Sequence, residues 1–124
     1  MFEVSTEVNF SAAHRLLNYD GPCENIHGHN WRVRAYVRSE GLNDIGIAID
    51  FKELRQKLSE TVAALDHSDL NVFFDAEKLN PSSENLARLI FGRLKTGLAG
   101  HSCRVWRVEV YETPTSCAAY FEHA

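Results

Sequence analysis

The sequence predicts an α+β fold with element order β-β-α-α-β-β: a four-stranded antiparallel sheet with two helices on one face. Three changes of period carry that expectation. Apolar residues alternate with period two over 2–14 and again over 27–38. After Asp50 the spacing becomes helical and is punctuated once, at Asn80-Pro81. From Trp106 the period of two returns. A length of 124 residues fits one domain over 1–124, large enough for a real core and too small for two.

In the first strand Phe2, Val4, Thr6, Val8, Phe10 and Ala12 share one face, with Glu3, Ser5, Glu7 and Asn9 on the other. Asn18, Asp20, Gly21 and Pro22 mark a loop that delivers Cys23 to the next strand. There Trp31, Val33, Ala35 and Val37 form the apolar face, against Arg32, Arg34 and Arg38. Ser39 to Gly46 reads as a turn, and Ile47-Ala48-Ile49 as a brief strand extension. Asp50 is an N-cap and Glu53, three residues on, makes a capping-box pair. Phe51, Leu54, Leu58, Val62 and Leu65 give that helix its apolar stripe. Asn80-Pro81-Ser82-Ser83-Glu84 caps the second helix, with Leu86, Leu89, Ile90 and Leu94 facing inward and Gly97 as a C-cap. Trp106, Val108 and Val110 share a face in the third strand. Thr113–Ser116 reads as a hairpin connection to a closing strand with Cys117, Ala119 and Phe121.

A net charge of -4 argues against a nucleic-acid partner, which normally demands a basic face. Cys23, Cys103 and Cys117 form an odd set without framework spacing, which points to reduced thiols and a cytoplasmic protein. The start Met1-Phe2-Glu3-Val4-Ser5 reads as no signal peptide, and no apolar run reaches the length of a membrane span, so no membrane partner is expected.

The chemistry concentrates in histidines that end apolar strand faces. His27 and His29 are two apart and open the face of Trp31; His14 closes the face of Phe10 and Ala12. Three imidazoles on matching parity are what a His₃ site for zinc needs, with a fourth position open for water or substrate. Cys23 is either a fourth ligand that closes a structural site or a thiolate beside an open one. Asp66-His67, just past the first helix, is by position alone a solvated turn. Glu112 falls on the apolar parity at a strand end, where a carboxylate either reaches water or holds a ligand.

Six features occur in order: Ala12-Ala13-His14-Arg15, Cys23-x₃-His27-Gly28-His29, Asp50-Phe51, Leu65-Asp66-His67-x₂-Leu70-Asn71, Asn80-Pro81-Ser82-Ser83-Glu84 and Glu112-Thr113. With them the chain resembles, over essentially its whole length, the 6-pyruvoyl-tetrahydropterin synthase and 6-carboxytetrahydropterin synthase family. The resemblance implies a tunnelling fold, in which the sheets of a homo-oligomer join into a barrel with helices outside and active sites between subunits. It implies zinc on His14, His27 and His29, Cys23 as the catalytic cysteine, and Asp66 and His67 as partners in proton transfer. It also implies Glu112 as the anchor of a pterin ring, with Ser82 and Ser83 as candidate substrate contacts; the family more often has Thr at the position of Ser82. Residues 82–84 serve equally as a plain helix cap.

The short spacing from Cys23 to His27 resembles the bacterial carboxy-type enzymes of the 7-deazaguanine (queuosine) route. That implies a lyase converting 7,8-dihydroneopterin triphosphate to 6-carboxytetrahydropterin, acetaldehyde and triphosphate. Three alternatives stand beside it: the pyruvoyl-forming sister reaction, a structural zinc module closed by Cys23, and a zinc-free subunit binding a purine or pterin through Glu112.

Overall fold

In the computed structural model, which describes residues 1–17, 25–75 and 79–122, β1 (Phe2–His14) and β2 (His27–Ser39) pair antiparallel from end to end, Phe2 with Ser39 and His14 with His27. β-Branched and aromatic residues on one parity make this pairing favourable, because every second side chain is buried together. Phe10 stacks on its cross-strand partner Trp31, and Val8, Val33, Ala35 and Val37 continue the buried row.

α1 (Phe51–Ala63) starts at Asp50, whose carboxylate accepts the Lys52 N–H at 2.7 Å. The expected return bond from Glu53 does not form: Glu53 instead reaches His101 Nε2 at 2.7 Å, tying the first turn of α1 to the chain beyond the second long helix. Leu54, Leu58 and Val62 are buried as the stripe predicts, and Leu65 follows them into the core just past the helix end. Phe51 departs from the stripe and is 67% exposed. It occupies the first helical position, facing a shallow hollow with Phe2 and Ile47 rather than the core.

Two short elements were not anticipated. β3 (Ser68–Asp69) runs parallel to β1, pairing with Ala12 and Ala13, and α2 (Leu70–Phe74) follows it directly. A two-residue strand has too little sequence for any period to show. α3 (Ser83–Gly97) is capped by Ser82, which accepts the Asn85 N–H at 3.1 Å, and buries Leu86, Ala87, Ile90, Phe91 and Leu94. Gly97 is its last helical residue; the αL turn falls three residues later, at Gly100 with φ 91°. Residues 47–49 form no strand: Ala48 and Ile49 lie in a bend and Ile47 in no regular element.

β4 (Arg104–Thr113) pairs with β2, and β5 (Ser116–Phe121) with β4, giving a five-stranded sheet among the described residues, in the order β3-β1-β2-β4-β5. The sheet is thus mixed rather than purely antiparallel, with β3 as the parallel edge. Two irregularities in β4 matter. Tyr36 pairs with Arg107 and Val37 with Val105, so Trp106 is the extra residue of a bulge. That resets the parity: Val105 enters the core and Trp106 turns to the other face, beneath the Arg38 guanidinium at 3.8 Å. Similarly Tyr111 pairs with Cys117 and Thr113 with Ser116, which leaves Glu112 unpaired. The core lies between the helices and the sheet face bearing Phe10, Trp31, Val108 and Val110. Among the described residues no helix is long and apolar enough to cross a membrane.

Candidate functional site

His14, His27 and His29 converge at the end of the core face, where β1 finishes and β2 begins. Register does most of this: His14 lies opposite His27, and His29 is two residues further on the same side. The rings of His14 and His27 are 4.6 Å apart, and those of His27 and His29 4.8 Å. Trp31 forms the floor, its ring 5.0 Å from His14 and 5.3 Å from His29, with its indole N–H donated to the Ala12 carbonyl at 3.1 Å.

Glu112 comes from β4 into the same cluster. Two residues beyond Val110 on the same face, its Oε1 lies 3.0 Å from His14 Nε2 and 3.2 Å from His29 Nε2. One ligand atom from each of His14, His27, His29 and Glu112 lies within 4.8 Å of the others, an arrangement able to hold a metal ion.

The donor set fits a cation on independent grounds. His14, 1% exposed, gives its Nδ1–H to the Pro81 carbonyl at 2.8 Å, and His27 gives its Nδ1–H to the Asn25 carbonyl at 2.7 Å. A carbonyl only accepts, so the proton belongs on Nδ1 and each Nε2 presents a lone pair. His14 Nε2 and His29 Nε2 are buried without a hydrogen bond. Their closeness to the Glu112 oxygen is contact without hydrogen-bond geometry: for His14, whose proton sits on Nδ1, two acceptors face one another. Such a pairing is relieved by a positive ion between them. Burial lowers the pKa of His29; Glu112 opposes that shift, and His14 and His27 reinforce it. A neutral imidazole is the form that coordinates metal.

Asp66 and His67 stand elsewhere. They line a hollow with Asn9, Ser11, Asn30, Arg32 and Tyr111, residues whose parity puts them on the sheet face away from the helices. Asp66 Oδ1 accepts the Ser11 N–H at 2.9 Å, and His67 Nδ1 approaches the same oxygen at 3.0 Å. The Ser11 N–H is the main reason the Asp66 carboxyl is held below its usual pKa, with His67 adding to it. His67 has φ 57°, a conformation costing a non-glycine residue about 1 kcal/mol, and its side chain is 82% exposed. Its Nδ1 is occupied, so Nε2 is the nitrogen left to exchange a proton. One chain therefore does not bring this dyad to the histidine cluster; the two occupy opposite faces at the same end of the sheet.

Ser83 and Glu84 line a further hollow with Glu112, Ser116 and Cys117, whereas the Ser82 hydroxyl is engaged as the cap of α3. Cys23 lies outside the described residues. Of the other two thiols, Cys103 is buried, and that burial pushes its pKa up; Cys117 is exposed. The residues that set the histidine tautomers escaped sequence reasoning. Asn25 and Pro81 act through backbone carbonyls, which leave no mark on residue type, although Pro81 sits inside a recognised motif.

The chain is 40% identical to a 6-carboxy-5,6,7,8-tetrahydropterin synthase of Synechocystis sp., over 98% of this chain and 94% of that protein. It is 30% identical to the human 6-pyruvoyl tetrahydrobiopterin synthase, over 95% of this chain and 90% of the human one. The solved structure of Caenorhabditis elegans 6-pyruvoyl tetrahydropterin synthase superimposes with a TM-score of 0.86 at 28% identity, over 98% of this chain and 96% of that one. The family model described as 6-pyruvoyl tetrahydropterin synthase matches residues 3–123. With the paired strands, the two long helices and the histidine cluster in place, the chain belongs to the 6-pyruvoyl tetrahydropterin synthase family.

Proposed function

We propose that this protein is a zinc-dependent lyase, a single synthase domain that converts 7,8-dihydroneopterin triphosphate to 6-carboxy-5,6,7,8-tetrahydropterin, acetaldehyde and triphosphate. The observation that carries the product assignment is the 40% identity, across nearly the full length, to the Synechocystis protein of that name. The short Cys23-x₃-His27 spacing supports it. The pyruvoyl-forming sister reaction is the second reading, favoured by the close superposition on the Caenorhabditis elegans enzyme.

Zinc on His14, His27 and His29 would acidify and polarise oxygens of the substrate side chain. The protein groups supply the rest. Pro81 and Asn25 hold two of the imidazoles in the ligating tautomer. Cys23, as thiolate, is the base that takes a proton from a hydroxyl-bearing carbon of the substrate side chain. His67 carries a proton on Nε2 while Asp66 orients the ring from Nδ1 and stabilises its charge. Glu112 accepts hydrogen bonds from the pterin amino group and ring N–H, and Ser83 lines the same hollow.

The placement of the dyad on the face opposite the histidines supports a homo-oligomer in which one copy offers Asp66 and His67 to another copy's metal. The place of β5 at the end of the sheet order among the described residues supports it too, since an edge strand is where a second copy can extend a sheet. We place this enzyme in the cytoplasm, in the 7-deazaguanine (queuosine) route. The test is direct: incubate zinc-loaded protein with dihydroneopterin triphosphate, trap volatile aldehyde and weigh the pterin product. Acetaldehyde with a carboxylate at C6 is expected; a 6-pyruvoyl product without acetaldehyde selects the sister reaction.

A further inference from the structure

The outer edge of β1 and of the chain just past it is closed at every second residue from Ser11 to Leu17. Ser11 gives its N–H to Asp66 Oδ1 at 2.9 Å, and its carbonyl accepts the His67 N–H at 2.5 Å. Ala13 pairs with Asp69 of β3. Arg15 gives its N–H to Asn71 Oδ1 at 2.8 Å, and its carbonyl accepts from Asn71 Nδ2 at 3.0 Å. Leu17 makes the same two bonds with Asn80, at 2.7 and 2.9 Å. A carboxamide offers one acceptor and one donor side by side, so each asparagine substitutes for a residue of a neighbouring strand. Aspartate would keep the acceptor and lose the donor.

His14 sits within this clamped stretch. Asn80 is followed directly by Pro81, whose carbonyl fixes the His14 ring, so the clamp on Leu17 and the anchor of His14 are one piece of chain. That piece is in turn fixed to α3: the Asn80 carbonyl accepts from Asn85 Nδ2 at 2.8 Å, and the Asn85 N–H is held by Ser82. Asn71 joins Arg15 to the turn carrying the dyad, since Asp69 Oδ1 accepts the Asn71 N–H at 3.0 Å.

We propose that Asn71 and Asn80 are positioning residues of the metal site. They hold the backbone beyond His14 in register, so that Nδ1 stays on the Pro81 carbonyl and Nε2 stays aimed at the cluster. This rests on the metal-site assignment above. Loss of an outer partner of a metal-bound histidine typically weakens metal binding by about 10–100-fold. Asn80 carries more of the effect because it is contiguous with Pro81; Asn71 carries less.

The experiment measures zinc affinity by chelator competition, and the visible spectrum after cobalt loading, for the wild type and for Asn71→Ala, Asn80→Ala and Asn43→Ala. Asn43 is the control: its Oδ1 accepts the Ile45 and Ile47 N–H groups at 3.1 and 3.0 Å in a turn apart from the site. Expected is about 10–100-fold weaker zinc and an altered cobalt spectrum for Asn80→Ala, a smaller loss for Asn71→Ala, and wild-type values for Asn43→Ala. Wild-type affinity in Asn80→Ala overturns the proposal, as does an equal loss in Asn43→Ala, which would mark a general effect of stability. Should Asn80→Ala not fold, Asn80→Asp keeps the acceptor for Leu17 and is read in the same way; intermediate weakening supports the proposal and unchanged affinity overturns it. A wild type that takes up no zinc removes the metal-site assignment itself, a different failure from a zinc-loaded wild type matched by its variants.

Discussion

One end of the sheet carries two sites of opposite character. On the core face, His14 is buried, its ring is fixed by a backbone carbonyl, and its free nitrogen faces a carboxylate without a hydrogen bond. On the far face, His67 is almost fully exposed, held through a left-handed backbone and one carboxylate. Rigidity and burial suit a ligand that must not move; exposure suits a group that must reach something outside its own chain. The contrast teaches that one strand can serve both purposes through different groups: the His14 side chain joins the histidine cluster on the core face, while the edge backbone N–H and carbonyl of Ser11 hold the dyad.

Breaking the core-face side gives the largest effect. His27→Ala should abolish stoichiometric zinc, and turnover with it, as read by elemental analysis; full zinc content would remove His27 from the ligand set. Glu112→Gln sharpens the same face. As pterin anchor Glu112 can be replaced with zinc retained and KM raised, whereas loss of zinc would make the carboxylate a ligand, as its 3.0 Å approach to His14 also permits. On the far face, His67→Ala should leave zinc in place and lower kcat by about 10²–10⁴-fold, the range for a lost general acid or base. If zinc falls with kcat, the two faces are not separate sites.

The two faces also differ in how much of them the sequence disclosed. Parity alone placed His14, His27 and His29 together, since strand side chains repeat every second residue and the pairing of β1 with β2 has no irregularity. Glu112 was legible as an apolar-parity carboxylate, whereas Trp106 falls on the other face because a bulge shifts parity without a residue-type signature. The dyad was visible only through resemblance. Its position depends on β3, two residues clipped to β1 by backbone bonds, and long-range backbone bonds leave no periodic trace. Phe51 looks like a core residue in the sequence for a different reason: the helical stripe gives direction but not where the packed surface ends.

The smallest expected effect isolates the carboxylate of the far face. In metal-free protein, Asp66 is ionised and accepts the Ser11 N–H, and that bond is the chief reason its pKa lies below the ordinary value of 3.8. A folded pKa below the unfolded one means that the ionised form favours folding. The contribution is therefore fully present above about pH 4 and is lost as pH falls through the folded pKa, where the carboxylate protonates in both states. Asp66→Asn keeps an oxygen for Ser11 and removes only the charge. The difference in Tm between wild type and Asp66→Asn, followed downward from neutral pH in the presence of chelator, should hold steady and then shrink below pH 4. Because the carboxylate is solvent-exposed, the difference will be slight at every pH. A gap that instead widens on acidification would mean that Asp66 is favoured in its protonated form, and the bond from Ser11 would not be what holds its pKa down.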